Sequence, residues 1–392
     1  MKEVVIVAGC RTPVGSFGGA FRDFPAVELG KVVVQEVIRR AGIDPQVIDE
    51  VVVGAGGQPH NAANVARVIA LMAGIPEHIP AYSVQRNCAS GLQAITSAAQ
   101  EIKAGDADVI LAAGVENLSQ APYLLTGARW GYRLQHGTII DGIWSGLTDP
   151  VSGLIMGETA ENLAEKYNIS REDQDKQALD SHNRAFRAIR MGRFKEEIVP
   201  VYVRKGGGEP EPVINDESPQ AGLSLQKLAL YPTIFKKNGT VTPGNSCPLN
   251  DAGAAVLLMS AEKAKALGLT PMAYIRSYAY AGVDPAYMGI GPTVSTPIAL
   301  KKAGLTLEDI QLIELNEAFA AQYLAVERLM GLNREITNVN GGAVALGHPI
   351  GATGVRLTVT LMYEMMKRDF SLGLATLCIG GGQGGSMILE RR

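Results

Sequence analysis

A chain of 392 residues is too long for one ordinary core and predicts two or three domains. Its 46% apolar and 19% charged residues are globular in proportion, and 36 basic against 39 acidic residues (net charge −3) leave no electrostatic footprint for nucleic acid or an anionic membrane. No apolar run approaches the ~20 residues of a membrane span, and the first residues lack the pattern of a signal peptide, so the expected location is cytoplasmic or another reducing compartment.

The first predicted element is a strand through Val4-Val5-Ile6-Val7. A helix ends at Ile38-Arg39-Arg40-Ala41, with Gly42 placed as a C-cap, and a strand follows at Val51–Val53. Arg86-Asn87-Cys88-Ala89-Ser90-Gly91-Leu92 leads into a helical run over Gln93–Lys103, and Asp108–Gly114 reads as a strand. Residues 119–249 break this rhythm. They carry both tryptophans, Trp130 and Trp144, a helical stretch at Glu158–Tyr167, and Ser170 and Asp173 spaced as a capping box. An insertion of this length points to a segment that covers a site. The alternation then resumes with a helix end at Leu300–Gly304, a strand near Leu312–Leu315, and strands at Leu374–Ile379 and Ser386–Leu389.

The chain is internally duplicated. Ile38–Ile43 with Val47–Val53 repeats as Leu300–Leu305 with Asp309–Leu315. Ala89-Ser90-Gly91-Leu92 repeats as Ala352-Thr353-Gly354-Val355, and Asp108–Gly114 repeats as Gly373–Gly380. Landmarks recurring in order at near-constant offset indicate two copies of one α/β unit. The expected division is a first half at 1–118, completed by about 250–270, an inserted loop domain at 119–249, and a second half at 271–392.

Four cysteines are present, none spaced as CxxC. A cysteine alone reads as a small buried hydrophobe, so context must decide. Cys88 stands at a predicted helix start, where amide N–H groups and the helix dipole favour a thiolate. His348, one of five histidines, lies between Gly347 and Pro349 in a loop opening a helix. By the duplication its segment is the counterpart of the Cys88 segment, so both could face one cleft. Cys378 closes a strand just before Ile379-Gly380-Gly381-Gly382, a place suited to chemistry. Gly380, Gly382 and Gly385 satisfy GxGxxG, but a strand follows them, which excludes a dinucleotide site. Asn316 sits at a strand–helix junction, where an N-cap is the ordinary role. His60, His78, His136 and His182 show no metal spacing and read as surface or loop residues. No GxSxG elbow or P-loop is present.

Taken together, Asn87–Gly91, Asn316-Glu317-Ala318-Phe319-Ala320, Gly342–Gly351 and Cys378–Gly382 closely resemble the thiolases, in the family's order and spacing over essentially the whole chain. The resemblance implies the thiolase fold: α/β, two duplicated βαβαβαββ halves in a five-layered α-β-α-β-α arrangement with an inserted loop domain. It implies a homo-oligomer, usually a tetramer built from dimers, and no metal or redox cofactor. The partners it implies are acetyl-CoA, acyl-CoA or 3-ketoacyl-CoA, and free coenzyme A. By position, Cys88 takes the acyl group, His348 deprotonates it and then helps hold a thioester oxygen, and Cys378 moves protons at the substrate Cα and the leaving thiol. Asn316 holds a water that completes an oxyanion hole with His348, and the N–H groups of Cys88 and Gly380 form a second hole. Met156, Ile155, Met288 and Phe319 match the acyl pocket. Ser246 or the adjacent Cys247 matches the pantetheine contact. Short-chain members place histidine where Ile155 stands, so the apolar Ile155 points to a larger or less polar acyl group; Glu158 also departs from the family pattern.

Reversible Claisen condensation fits these residues. A thiolate nucleophile divides the reaction, a positioned base removes a weakly acidic proton, and donors already in place meet the enolate oxygen. The expected activity is acyl-CoA C-acyltransferase, foremost acetyl-CoA C-acetyltransferase. The alternatives are a 3-ketoacyl-CoA thiolase of fatty-acid β-oxidation, a ketoacyl synthase or hydroxymethylglutaryl-CoA synthase relative, disfavoured by the Cys378 segment, and, in another class, a non-catalytic acyl-CoA-binding protein.

Overall fold

The computed structural model describes residues 2–204 and 208–392. The chain runs through β1 (Val4–Arg11), α1 (Ala26–Ala41), β2 (Glu50–Ala55), α2 (Val65–Met72), β3 (Ala81–Val84), α3 (Ser90–Ala104) and β4 (Val109–Asn117). Residues 118–249 then leave the layered core. They carry the hairpin β5 (Tyr123–Leu125) and β6 (Ile139–Asp141) and the helices α4 (Met156–Lys166) and α5 (Arg171–Arg190). The chain returns as β7 (Asn250–Ser260), which pairs with both β1 and β4. The second half is β8 (Ala273–Gly282), α6 (Gly291–Ala303), β9 (Leu312–Leu315), α7 (Ala320–Met330), α8 (Ile350–Arg368), β10 (Leu372–Ile379) and β11 (Gln383–Glu390).

The duplication is visible in the strand order. The first half runs β1-β7-β4-β2-β3 and the second β8-β11-β10-β9, with Thr337 bridging Ile313 of β9 in parallel, as β3 does beside β2. The halves meet where Val5 and Ile6 of β1 pair with Tyr274 and Ala273 of β8. The two repeated helix ends close on Gly42 (φ 64°) and Gly304 (φ 71°), a left-handed conformation that glycine adopts without steric cost.

Five layers follow from which faces are apolar. α3 and α8 fill the centre: Leu92, Ile95, Val355 and Leu361 pack with Ile110 and Val256 of one half and Leu377 and Ile379 of the other. Outside the first half, Val33, Val37 and Ile69 of α1 and α2 cover Val51, Val53 and Val115. Outside the second, Ala299, Leu300 and Leu324 of α6 and α7 cover Ile313, Leu315 and Leu374. β4 is therefore buried on both sides, which explains its unbroken run of apolar and small residues. The central helices approach closely because glycines line their crossing. A Cβ on Gly91 would sit 2.7 Å from Gly351 O, and one on Gly354 would collide with the backbone N of Leu92.

The 118–249 excursion is anchored by polar contacts. Ser170 Oγ accepts from Asp173 N at 3.0 Å, starting α5 as its spacing indicates. Ser181 and Gln177 of α5 donate to the buried Glu317 carboxylate at 2.7 and 3.0 Å. The same carboxylate accepts from Val344 N at 3.3 Å, so α5 is tied to the segment that precedes His348. His182 corrects its reading as a surface residue. It is buried on α5, its Nδ1 accepts from Gln220 N at 3.2 Å, and burial lowers its pKa to about 4. Among the described residues, no helix is long and apolar enough to cross a membrane.

Candidate active site

A cavity of about 550 Å³ opens where all three parts of the chain converge. Asn87, Cys88 and Glu116 come from the first half, Leu147, Thr148 and Met156 from the excursion, and Ile350, Gly380 and Gly381 from the second half.

Cys88 occupies a tight turn that feeds α3. Asn87 before it takes φ 45°, Ser90 Oγ donates to Asn87 O at 2.7 Å, and Ser90 Oγ accepts from Arg86 N at 2.9 Å. A left-handed non-glycine residue beside a thiol is stored strain that the surroundings must hold. Here Asn87 Nδ2 donates to Gly380 O at 2.8 Å, locking the two halves together at the sulfur. Arg86 adds a second tie, donating to Gln93 at 2.7 Å and to Gln383 of β11 at 3.0 Å.

The helix begins at Ser90 with Ala89 as its N-cap, so Cys88 lies just outside it. This corrects the expected electrostatics of the free enzyme. Burial is the largest influence and raises the Cys88 pKa, while the N–H groups of Gly380 and of Cys88 itself oppose it. Dehydration outweighs the donors in the empty site, so a base is required to ionise the thiol.

His348 has the form such a base needs. Its Nδ1 lies 2.6 Å from Thr353 Oγ1, and that hydroxyl donates its single proton to Pro349 O at 2.9 Å. The hydroxyl must therefore accept from Nδ1–H, which leaves the lone pair on Nε2. Nε2 is buried and has no partner among the described residues. Burial, then the charge of Arg356, holds the His348 pKa down at about 3, so the ring is neutral at physiological pH. The loop is clamped by Asn250 of β7, whose Oδ1 accepts from His348 N at 2.9 Å.

Asn316 is fully buried, and neither side-chain polar atom has a partner among the described residues. The N-cap role does not apply, because α7 starts at Ala320 with Phe319 as its N-cap. Its backbone instead extends the β9–β10 ladder, Asn316 N donating to Thr376 O at 3.0 Å. Cys378 is fully buried near the end of β10. Its pKa is raised well above the ordinary thiol value by burial and by the nearby charges of Cys88 and Cys247, so the three sulfurs share one region.

The pocket residues divide. Met156 lines the cavity, and a Cβ on Gly380 would lie 3.2 Å from its sulfur. Met288 and Phe319 belong to the apolar cluster around Cys378, with Met156 and Phe235 against it. Ile155 is the extended N-cap of α4, bridged to Thr148, and is not among the residues that line the cavity. Glu158 caps the same turn, its carboxylate accepting from Ile155 N at 3.0 Å. Ser246 donates to Thr242 O at 2.7 Å and borders a separate recess with Gly244 and Tyr231. Cys247 is half-buried, and its N–H donates to Ala318 O at 3.0 Å.

Sequence reasoning passed over Asn87, Glu116, Asn250 and Thr353. Glu116 accepts from Gly56 N at 3.0 Å, Gly57 N at 3.2 Å and Gly351 N at 2.8 Å, joining the cavity wall to the start of α8. Burial raises its pKa to about 7. Only Thr353 left a local signal, a hydroxyl five residues after a histidine at a helix start.

A thiol flanked by amide donors, with a second buried thiol close by and a neutral histidine two residues before Ile350 of the cavity wall, has the parts of a cysteine-dependent acyl-transfer centre. Residues 4–262 match the thiolase N-terminal domain and residues 269–391 the thiolase C-terminal domain. The chain is 52% identical, over the full length of both proteins, to an acetyl-CoA acetyltransferase of Pseudomonas aeruginosa. The crystal structure of the Bacillus anthracis acetyl-CoA acetyltransferase superposes with a TM-score of 0.98 at 49% identity, covering 100% of this chain and 99% of that one. The human mitochondrial 3-ketoacyl-CoA thiolase in complex with CoA superposes with a TM-score of 0.97 at 41% identity, covering 100% and 98%. This chain belongs to the thiolase family.

Proposed function

We propose that this protein is an acetyl-CoA C-acetyltransferase that joins two acetyl-CoA molecules into acetoacetyl-CoA and CoA, and runs the same reaction in reverse. The observation that carries the reading is the pairing of Cys88, with the Gly380 N–H directed at its sulfur, and Cys378, a second thiol in the same region whose basicity burial raises. Full-length identity of 52% to an acetyl-CoA acetyltransferase favours the acetyl substrate.

In the first half-reaction the Cys88 sulfur attacks the thioester carbon while its proton passes to His348 Nε2. The C–S bond to CoA breaks, and the departing thiolate takes the proton of Cys378, which is left as a thiolate. The N–H groups of Cys88 and Gly380 meet the developing oxyanion, worth roughly 3–4 kcal/mol per donor. In the second half-reaction the Cys378 thiolate removes a Cα proton from the incoming acetyl-CoA, and the enolate carbon attacks the acetyl group on Cys88, releasing its sulfur. His348 Nε2 and a water on Asn316 hold the enolate oxygen. A thiol made weakly acidic by burial is, once ionised, a strong base, which suits a weakly acidic Cα. The chemistry as written calls on no resident cofactor, and coenzyme A thioesters are substrates.

Met156, Met288 and Phe319 line the acyl end in this reading, and Ser246 and Cys247 meet the pantetheine arm. The division into halves at 1–118 and 271–392 with a loop domain at 119–249 belongs to the same reading. So does a cytoplasmic homotetramer, supported by the exposed apolar side chains of Leu124, Trp130 and Leu134 on the β5–β6 arm and checked by light scattering in solution.

The test is labelling with radioactive acetyl-CoA. Cys88→Ala abolishes the acetyl-enzyme, whereas Cys378→Ala still labels but does not condense. Stable labelling of the Cys88 variant sinks the assignment. Steady-state thiolysis across 3-ketoacyl-CoA chain lengths tests the acetyl preference, which predicts the highest kcat/KM with acetoacetyl-CoA.

A further inference from the structure

β9 is extended, so side chains two apart share a face. Leu312 of β9 lies in the central core with α8, and Asn316 still follows the ladder, so Glu314 and Asn316 also face the central layer. On α8, Thr353 and Arg356 are three residues apart and share a face. Thr353 holds His348, and Arg356 lies one turn further in, near both Glu314 and His348.

The polar atoms in this layer are unusual. His348 Nε2, both polar atoms of the Asn316 side chain, both Glu314 oxygens, and Arg356 Nε and Nη1 are all buried without partners among the described residues. Buried polar atoms are ordinarily paired, and a group mixing free donors and acceptors marks internal water. Arg356 Nη2 lies 3.5 Å from the carbonyl of Gly347, the residue before His348.

We infer that Arg356 is a positioning residue for the condensation step, extending a positive potential through internal water to the Asn316–His348 face, where enolate charge develops. The inference rests on the thiolase reading above.

Other charges nearby are already engaged. Glu197 and Asp216 bond Arg11 at 2.6 and 2.7 Å, Glu364 pairs with Arg193 and Arg368, and Glu317 is held by Ser181, Gln177 and Asn338. Glu314 is the one carboxyl in the group without a partner among the described residues, and burial pushes its pKa up to about 8. Arginine does not release its proton in proteins. At neutral pH the Arg356 charge is therefore not cancelled by Glu314 and acts on the chamber.

The experiment compares acetoacetyl-CoA formation with exchange of labelled CoA into acetyl-CoA, which uses Cys88, His348 as its base and the other oxyanion hole but forms no enolate. Arg356→Gln lowers condensation about tenfold or more with exchange held within about threefold, and Arg356→Lys keeps both near the parent. Equal losses in the two reactions, or a lysine variant as impaired as the glutamine variant, overturn the inference. Glu314→Gln gives an independent reading should the arginine variant not fold. In the parent, the ratio of condensation to exchange falls above pH 8 as Glu314 ionises and offsets Arg356; in the glutamine variant the ratio stays level. The same fall in both also overturns it. A parent enzyme that shows neither reaction refutes the thiolase reading instead.

Discussion

Thr353→Val tests the orientation of the catalytic histidine with almost no change in shape. The Thr353 hydroxyl is the only partner of His348 Nδ1 among the described residues, at 2.6 Å. Pro349 O keeps the backbone N–H donors of Ala352 at 2.9 Å and Thr353 at 2.8 Å, so the substitution strands one group alone, the Nδ1–H. An unsatisfied buried donor costs about 1–3 kcal/mol. Without the hydroxyl the Nδ1–H tautomer loses its preference, and a ring protonated on Nε2 has no lone pair there to accept the Cys88 proton. The same energy then appears as a loss of roughly 5- to 150-fold in the rate of enzyme acylation. Rapid-quench measurement of CoA release in the first turnover reads this rate directly, with a thermal melt alongside to confirm folding. Thr353→Ser restores the hydroxyl and returns most of the rate. A valine variant that acylates at the parental rate, or a serine variant as slow as valine, refutes the tautomer assignment.

Three further outcomes follow. Burial raises the Glu116 pKa from 4.5 to about 7, so the folded protein binds this proton more tightly than the unfolded chain. Its contribution to stability is full below pH 4.5 and is lost as pH rises to about 7. Glu116→Gln flattens the decline in denaturant midpoint over that window, and an unchanged slope contradicts the linkage. Gly347 has φ 100°, and a Cβ there would lie 2.5 Å from Asn250 Oδ1, the atom that clamps His348. Gly347→Ala adds strain of order 1–3 kcal/mol and displaces the histidine, so acylation slows by more than tenfold with a lowered Tm; a variant with parental activity refutes the clamp. Gly354→Ala forces α3 and α8 apart at their crossing and costs about 1–3 kcal/mol or more in chemical denaturation; a parental midpoint contradicts the close approach.

Local patterns made much of this molecule legible. Apolar runs marked β1, β2 and β10, the Gly42 and Gly304 caps marked matching helix ends, and Ser170 with Asp173 marked the start of α5. These signals survive because each depends on a few neighbours in sequence: burial on both faces, a left-handed cap, one hydroxyl and one carboxylate. His182 was misread because its burial depends on a distant partner, the Gln220 segment, which no helical period reports.

The residues of the site separate along the same line. Cys88, His348, Cys378, Asn316 and Gly380 could be nominated from motifs, because their residue types and spacing are chemically distinctive. Their state could not. Whether the Cys88 thiol is ionised is a balance between two backbone donors and dehydration, and dehydration exists only once the layers close over it. Which nitrogen of His348 carries the proton depends on Thr353 bonding Pro349. The distance between Cys88 and Gly380, nearly three hundred residues apart in sequence, is set by Asn87 reaching across the interface of the two halves. The sequence by itself determined the parts list and the repeated scaffold, since both are written in local residue patterns. The tertiary structure alone decided the electrostatics, because desolvation and charge proximity are properties of the assembled core.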